Sequence, residues 1–167
     1  MMKNIRVKGW WSFMAMAVIA MSVSLVACNK DENTCASFDA AAEDAAIQAF
    51  MKAKGIKGTK YSKGLYYEIV YQGSSVGPKQ TSVIFCTYKG TLLNDSTFDE
   101  QSNPGRTGFQ LNGLIEGWKL GLPLVGKGGT IRLMVPSNLG YGCSGSGTKI
   151  PPNSPLYFEI TLVDYFN

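Results

Sequence analysis

Histidine is absent from all 167 residues, which excludes triads with a histidine base and most zinc sites. Cysteine is scarce. Cys28, Cys35, Cys86 and Cys143 make a poor disulfide framework, because assigning Cys28 to a lipid (argued below) leaves an odd three. One bridge among Cys35, Cys86 and Cys143 suits an oxidising compartment, and its pairing stays open. A working basic excess is also missing. The formal charge is +4, yet Lys3, Arg6 and Lys8 precede Cys28 and all 12 acids follow it. Beyond Cys28, 13 bases face 12 acids, so the charge gives no ground for a nucleic-acid partner. Internal repeats are absent too.

The long apolar run is Trp10–Val26, 17 residues behind the basic start and at the short edge of what spans a bilayer. Basic n-region, apolar h-region and small-residue site come in the order of a secretory signal. The run ends in Leu25-Val-Ala-Cys28, which resembles a bacterial lipobox. That resemblance implies cleavage after residue 27, acylation of Cys28 and a membrane anchor in the cell envelope, on the periplasmic face or the cell surface. Several acyl chains on one cysteine hold stably where one binds only marginally.

The remaining 140 residues suit one domain with a real core. Asn29–Asn33 reads as a polar tether, and its Lys30-Asp-Glu segment is weakly similar to acidic surface-export signals. Ala36–Lys54 is predicted to be a helix, a spacer or packing arm, with Ser37 as cap, Asp39 in the first turn and Gly55 past the end. Phe38, Ala42, Ile47, Phe50 and Met51 form its apolar face. Gly55–Gly64 reads as a loop, so residues 28–63 form a tether and helix and 64–167 the main domain.

From Leu65 the period becomes two. Leu65–Tyr71 and Ser82–Lys89 are rich in aromatic and β-branched residues. Leu92–Asp95 marks a tight turn into a short strand at Phe98-Asp99. Thr130–Pro136 and Leu156–Phe166 alternate, with Ile131, Leu133, Val135 and then Leu156, Phe158, Ile160, Leu162 on one face each. Between these strands lies Phe109–Leu122, where Leu114, Ile115, Trp118 and Leu122 form one apolar stripe of a short helix. Gly117 and Gly121 weaken that helix by about 1 kcal/mol each relative to alanine, and Pro123 stops it. A helix so poor in propensity must be held from outside. Roughly five strands and one short helix predict an α+β domain, an antiparallel sheet folded over the helix.

Gly142–Lys149 superficially suggests a phosphate-binding loop, but Thr148 precedes Lys149 and Pro151-Pro152 prevents the helix such a loop requires. The order of the remaining motifs is more specific. Tyr88-Lys-Gly-Thr-Leu, Phe98-Asp99, Phe109-Gln-Leu with Ile115-Glu-Gly-Trp118, Val135-Pro-Ser-Asn-Leu-Gly-Tyr141-Gly142, Ile150-Pro-Pro-Asn and Leu156-Tyr-Phe158-Glu follow one another over Gly64–Tyr165. This resembles an FKBP-type peptidyl-prolyl cis–trans isomerase. Asn112-Gly113 is similar to the macrophage-infectivity-potentiator-like branch, with one helix where that branch has a long dimerisation domain.

The resemblance implies a half-barrel sheet wrapped round the short helix, with an apolar pocket between them. Trp118 would be the floor, with Tyr88, Phe98, Ile115 and Phe158 as walls, Leu114 and Phe109 near them, and Ile150 closing the pocket from its loop. Tyr141 would offer its hydroxyl and Ile115 its backbone N–H to the substrate, and Asp99 would be the acid at the rim. The implied partners are proline-containing polypeptides, exported proteins still folding, and a pocket of this kind takes macrolide inhibitors. Amide rotation costs about 18–20 kcal/mol. A pocket that desolvates the carbonyl favours the twisted amide, so the chemistry asks for no nucleophile, metal or cofactor. Thr107 stands where many members have a second pocket phenylalanine, Lys149 replaces a commonly apolar residue, and Asp95 sits where the turn usually has glycine. The alternative is a chaperone or adaptor module that holds proline-containing chains with little turnover.

Overall fold

The computed structural model describes residues 40–104 and 108–167. Cys28, Cys35, the leader, the tether, the Ser37 cap, Phe38, Asp39 and Thr107 lie outside them. Among the described residues seven antiparallel strands form one sheet: β1 (Thr59–Lys60), β2 (Tyr66–Tyr71), β3 (Val83–Leu92), β4 (Thr97–Gln101), β5 (Phe109–Gln110), β6 (Thr130–Val135) and β7 (Leu156–Phe166). Their order is β1-β2-β6-β7-β3-β4, with β5 paired to β3. The five strands expected from alternation are present. β1 and β5 are two residues each, too short to carry a period, and β1 falls inside the stretch read as a loop.

Helix α2 (Glu116–Gly121) packs on one face of the sheet, and its glycines explain how it is held. A Cβ on Gly117 would lie 2.6 Å from Val135 Cγ1, and one on Gly121 would lie 2.5 Å from Leu133 Cδ2. The helix thus gives up intrinsic propensity to lie directly on β6, and packing supplies what propensity lacks. Pro123 ends it as expected, in a 3-10 turn over Leu122–Leu124. Trp118, Leu122, Leu133, Val135, Leu156 and Ile160 belong to the core between helix and sheet.

A second, smaller core lies on the opposite side of β6. There helix α1 (Ala40–Lys54) sets Ile47, Phe50 and Met51 against Tyr66 and Met134. Met134 breaks the alternation of β6 because α1 covers the face that would otherwise meet water. The buried stripe of α1 is Glu43, Ile47, Phe50 and Met51. Ala42, expected on the apolar face, is exposed, and Glu43 holds the buried position because i, i+4, i+7 runs from 43 rather than 42. The Leu92–Asp95 turn closes through Asp95 N–H donating to the Leu92 carbonyl at 3.1 Å. Asp95 has φ 68°, the left-handed conformation that aspartate tolerates better than most residues. Among the described residues no helix is long and apolar enough to cross a membrane.

Candidate active site

Four elements meet at one end of α2 and enclose a cavity of about 290 Å³. β3 contributes Tyr88, β4 contributes Phe98 and Asp99, β7 contributes Phe158, and α2 contributes Trp118. Strand pairing brings Gly90 opposite both Asp99 and Phe158. A Cβ on Gly90 would sit 2.6 Å from the Phe98 ring and 2.9 Å from that of Phe158, so the missing side chain is what admits both rings over β3.

Those rings stand nearly at right angles. Trp118 lies 5.1 Å from Tyr88 and 5.3 Å from Phe158, each at 86°. Phe98 meets Phe158 at 5.5 Å and 84°, and Tyr88 meets Phe109 at 6.4 Å and 69°. Edge-to-face pairs of this kind add to area burial and fix ring orientation. Trp118 is only 5% exposed, and its indole N–H has no partner among the described residues.

The polar groups are few and specific. Tyr88 donates its hydroxyl hydrogen to Asp99 Oδ2 at 2.7 Å. Burial and then this carboxylate push the Tyr88 phenol well above the ordinary tyrosine range. Burial, followed by Asp99, also raises Tyr141, so both phenols stay protonated donors at neutral pH. Tyr141 follows the 3-10 turn Ser137–Leu139 and is 38% exposed. Ile115 precedes α2 with φ −59° and ψ 151°. Its carbonyl accepts from Trp118 and Lys119 N–H at 3.0 and 3.2 Å. Among the described residues nothing accepts the Ile115 N–H or pairs with the Tyr141 hydroxyl.

The structure therefore gathers Tyr88, Phe98, Asp99, Phe109, Leu114, Ile115, Trp118, Tyr141 and Phe158 on one cavity. Gly113 also lines it, a position the sequence offers no side chain to mark. Ile150, expected to close this pocket from its loop, is buried and lines an adjoining cleft that shares Phe98, Asp99 and Tyr141 with it. The loop that carries Ile150 is fixed at both ends. Ser146 and Ile150 exchange backbone hydrogen bonds at 2.8 and 3.1 Å, closing a small hairpin, and Lys149 Nζ ties it to β4 by donating to the Phe98 carbonyl at 3.1 Å.

Cysteine chemistry stands outside the pocket. Cys86 is a buried free thiol on β3, pushed up to about 12 by burial. Cys143, two residues past Tyr141, is disulfide-bonded, and Cys86 is not its partner.

A profile of the family described as FKBP-type peptidyl-prolyl cis-trans isomerase matches residues 74–163. The chain is 41% identical to FkpA of Escherichia coli over 118 residues, covering 70% of this chain and 43% of that protein. It is 37% identical over 147 residues to a probable FKBP-type isomerase of Haemophilus influenzae, covering 87% of this chain and 60% of the relative. It thus spans about half the length of the curated relatives it matches. The crystal structure of Escherichia coli FkpA superposes with a TM-score of 0.66 and 36% identity, over 76% of this chain and 61% of that one. A peptidyl-prolyl isomerase from Pseudomonas syringae pv. tomato does so at 0.65 and 29%, over 75% of this chain and 95% of that one.

Proposed function

The chain belongs to the FKBP-type peptidyl-prolyl cis–trans isomerase family, and on that footing we propose that it isomerises Xaa-Pro bonds in exported polypeptides at the pocket around Trp118. The observation that carries this reading is the pairing of a box of perpendicular rings with two unengaged donors, the Tyr141 hydroxyl and the Ile115 N–H, on one cavity. The proline ring rests on the Trp118 face between Tyr88, Phe98 and Phe158. The donors take carbonyls of the flanking chain. The Tyr88–Asp99 hydrogen bond keeps the rim acid directed at the phenol.

Catalysis then follows from differential binding. A planar amide is stabilised by water on its charge-separated carbonyl, and the aromatic walls remove that water. The twisted amide, with little charge separation, loses less on entering. Each 1.36 kcal/mol of preference for the twisted state gives about tenfold in rate. Uncatalysed isomerisation takes tens of seconds or more, slow enough to limit folding of an exported chain.

The same reading places the protein in the cell envelope, with residues 1–27 removed, Cys28 acylated and a short tether before the domain. The ordered basic, apolar and small-residue segments support it. The experiment that tests the function is refolding of a proline-limited protein with and without the chain. The slow phase should accelerate in proportion to added chain. A slow phase untouched by folded chain would reject it.

A further inference from the structure

We infer that Glu43 of α1 is a positioning residue for Tyr141, acting through Ser137, so that the N-terminal helix sets the geometry of the isomerisation site. The inference rests on the isomerase reading above. Glu43 is 9% exposed and Ser137 1%. The Ser137 N–H donates to Glu43 Oε2 at 2.7 Å, and the Ser137 hydroxyl donates to Oε1 at 2.5 Å. Both carboxylate oxygens are thus occupied by one serine, 94 residues away in the chain.

A buried carboxylate costs more than an apolar side chain unless hydrogen bonds offset its lost hydration. On a stripe completed by Ile47, Phe50 and Met51, an apolar residue would serve packing alone. Placing a glutamate there is explained by what it holds. Ser137 opens the turn that delivers Tyr141: Leu139 N–H donates to the Pro136 carbonyl and Gly140 N–H to the Ser137 carbonyl, both at 2.9 Å. Tyr141 follows with φ −107° and ψ 4°, in the sparsely allowed bridge region where site residues often sit. Its hydroxyl has no described partner to fix it. The ring position is inherited from the backbone of this turn, and the turn is fastened at its first residue by Glu43.

The test uses the whole chain, detergent-solubilised, as the parent, E43A, E43Q and S137A, each with and without Y141F. Folding is checked by circular dichroism at the assay temperature. E43A should lower kcat/KM for a prolyl peptide by about tenfold, the worth of the one hydrogen bond the Tyr141 hydroxyl gives the substrate. E43Q, which keeps one acceptor, should recover part of the loss. In the Y141F background the same change should cost less than about twofold, because positions acting through one group are not additive. Equal loss in both backgrounds would mean a general structural role and overturn the inference, as would no loss in an active parent. An inactive parent would instead defeat the isomerase reading, and amide exchange then decides the clamp. Leu139 and Gly140 amides should exchange faster in E43A, and unchanged protection would overturn it. Should E43A not fold, E43Q and S137A carry the same comparisons.

Discussion

The Tyr88 hydroxyl donates to Asp99 across 2.7 Å, although the β3–β4 register pairs Tyr88 with Gln101 and Asp99 with Gly90. The bond runs diagonally over the pocket mouth, so the rim acid is engaged with the phenol rather than free to act as a base. A pocket that worked by desolvation, as proposed, would gain from this. The carboxylate accepts from the phenol on Oδ2 and from the Glu100 N–H on Oδ1 at 2.9 Å, and the phenol stays protonated.

Stability should fall in the alkaline range. Burial raises the Cys86 thiol and the Tyr88, Tyr141 and Tyr157 phenols, the first and last to about 12. Unfolded, these groups release their protons near about pH 8.5–10. The unfolded chain then binds fewer protons than the native one, so stability declines as pH rises. Their contribution is complete below that range and is lost above it. Urea midpoints from pH 7 to 11 should decline, and less steeply in Y88F. A flat profile would contradict the assignment.

Gly121→Ala should destabilise the fold although alanine is the better helix former. The propensity gain is about 1 kcal/mol, but the new Cβ would lie 2.5 Å from Leu133 Cδ2, and overpacking of this kind costs about 1–3 kcal/mol. Urea denaturation should show a net loss. A stabilised variant would mean that α2 does not lie against β6 as described.

Tyr141→Phe should reduce kcat/KM by about tenfold, one hydrogen bond's worth, with little change in melting temperature. The separation is expected because the hydroxyl pairs with nothing among the described residues, so the fold does not depend on it. Equal activity would remove Tyr141 from the donor set.

Thiol chemistry tests the lipoprotein reading. Cys143 is disulfide-bonded and Cys86 is not its partner, so an acylated Cys28 leaves Cys35. Non-reducing peptide mapping should recover a Cys35–Cys143 peptide and a lipid-modified Cys28. A Cys28–Cys143 peptide would contradict acylation.

Much of the site is legible in the sequence through the order and spacing of its motifs, which resemble those of the FKBP-type family; alternation alone marks the same aromatics only as core. The structure brings Tyr88 and Phe158 against Trp118, and Phe98 against Phe158. Gly117 and Gly121 were legible as weaknesses but not as contacts, since the benefit of a missing Cβ appears only when Val135 and Leu133 lie against it. Glu43 was hidden because a carboxylate on a helix reads as a solvated face, and its partner is far away in sequence. The Ser146–Ile150 hairpin that carries Ile150 is not legible in the sequence, because it is set by backbone hydrogen bonds that carry no side-chain signature. β1 and β5 have only two residues each, below any detectable period.

On the proposed function, the pocket around Trp118 accelerates rotation about prolyl bonds. The most direct measurement is a protease-coupled isomerisation assay with Xaa-Pro peptides of varied Xaa, comparing the soluble chain from Asn29 onward with its Trp118→Leu variant, each with and without a pocket-filling macrolide. Turnover that the macrolide abolishes and that falls at least about tenfold in the folded variant is the predicted result. A folded parent without turnover, or turnover indifferent to both Trp118 and the macrolide, would contradict it.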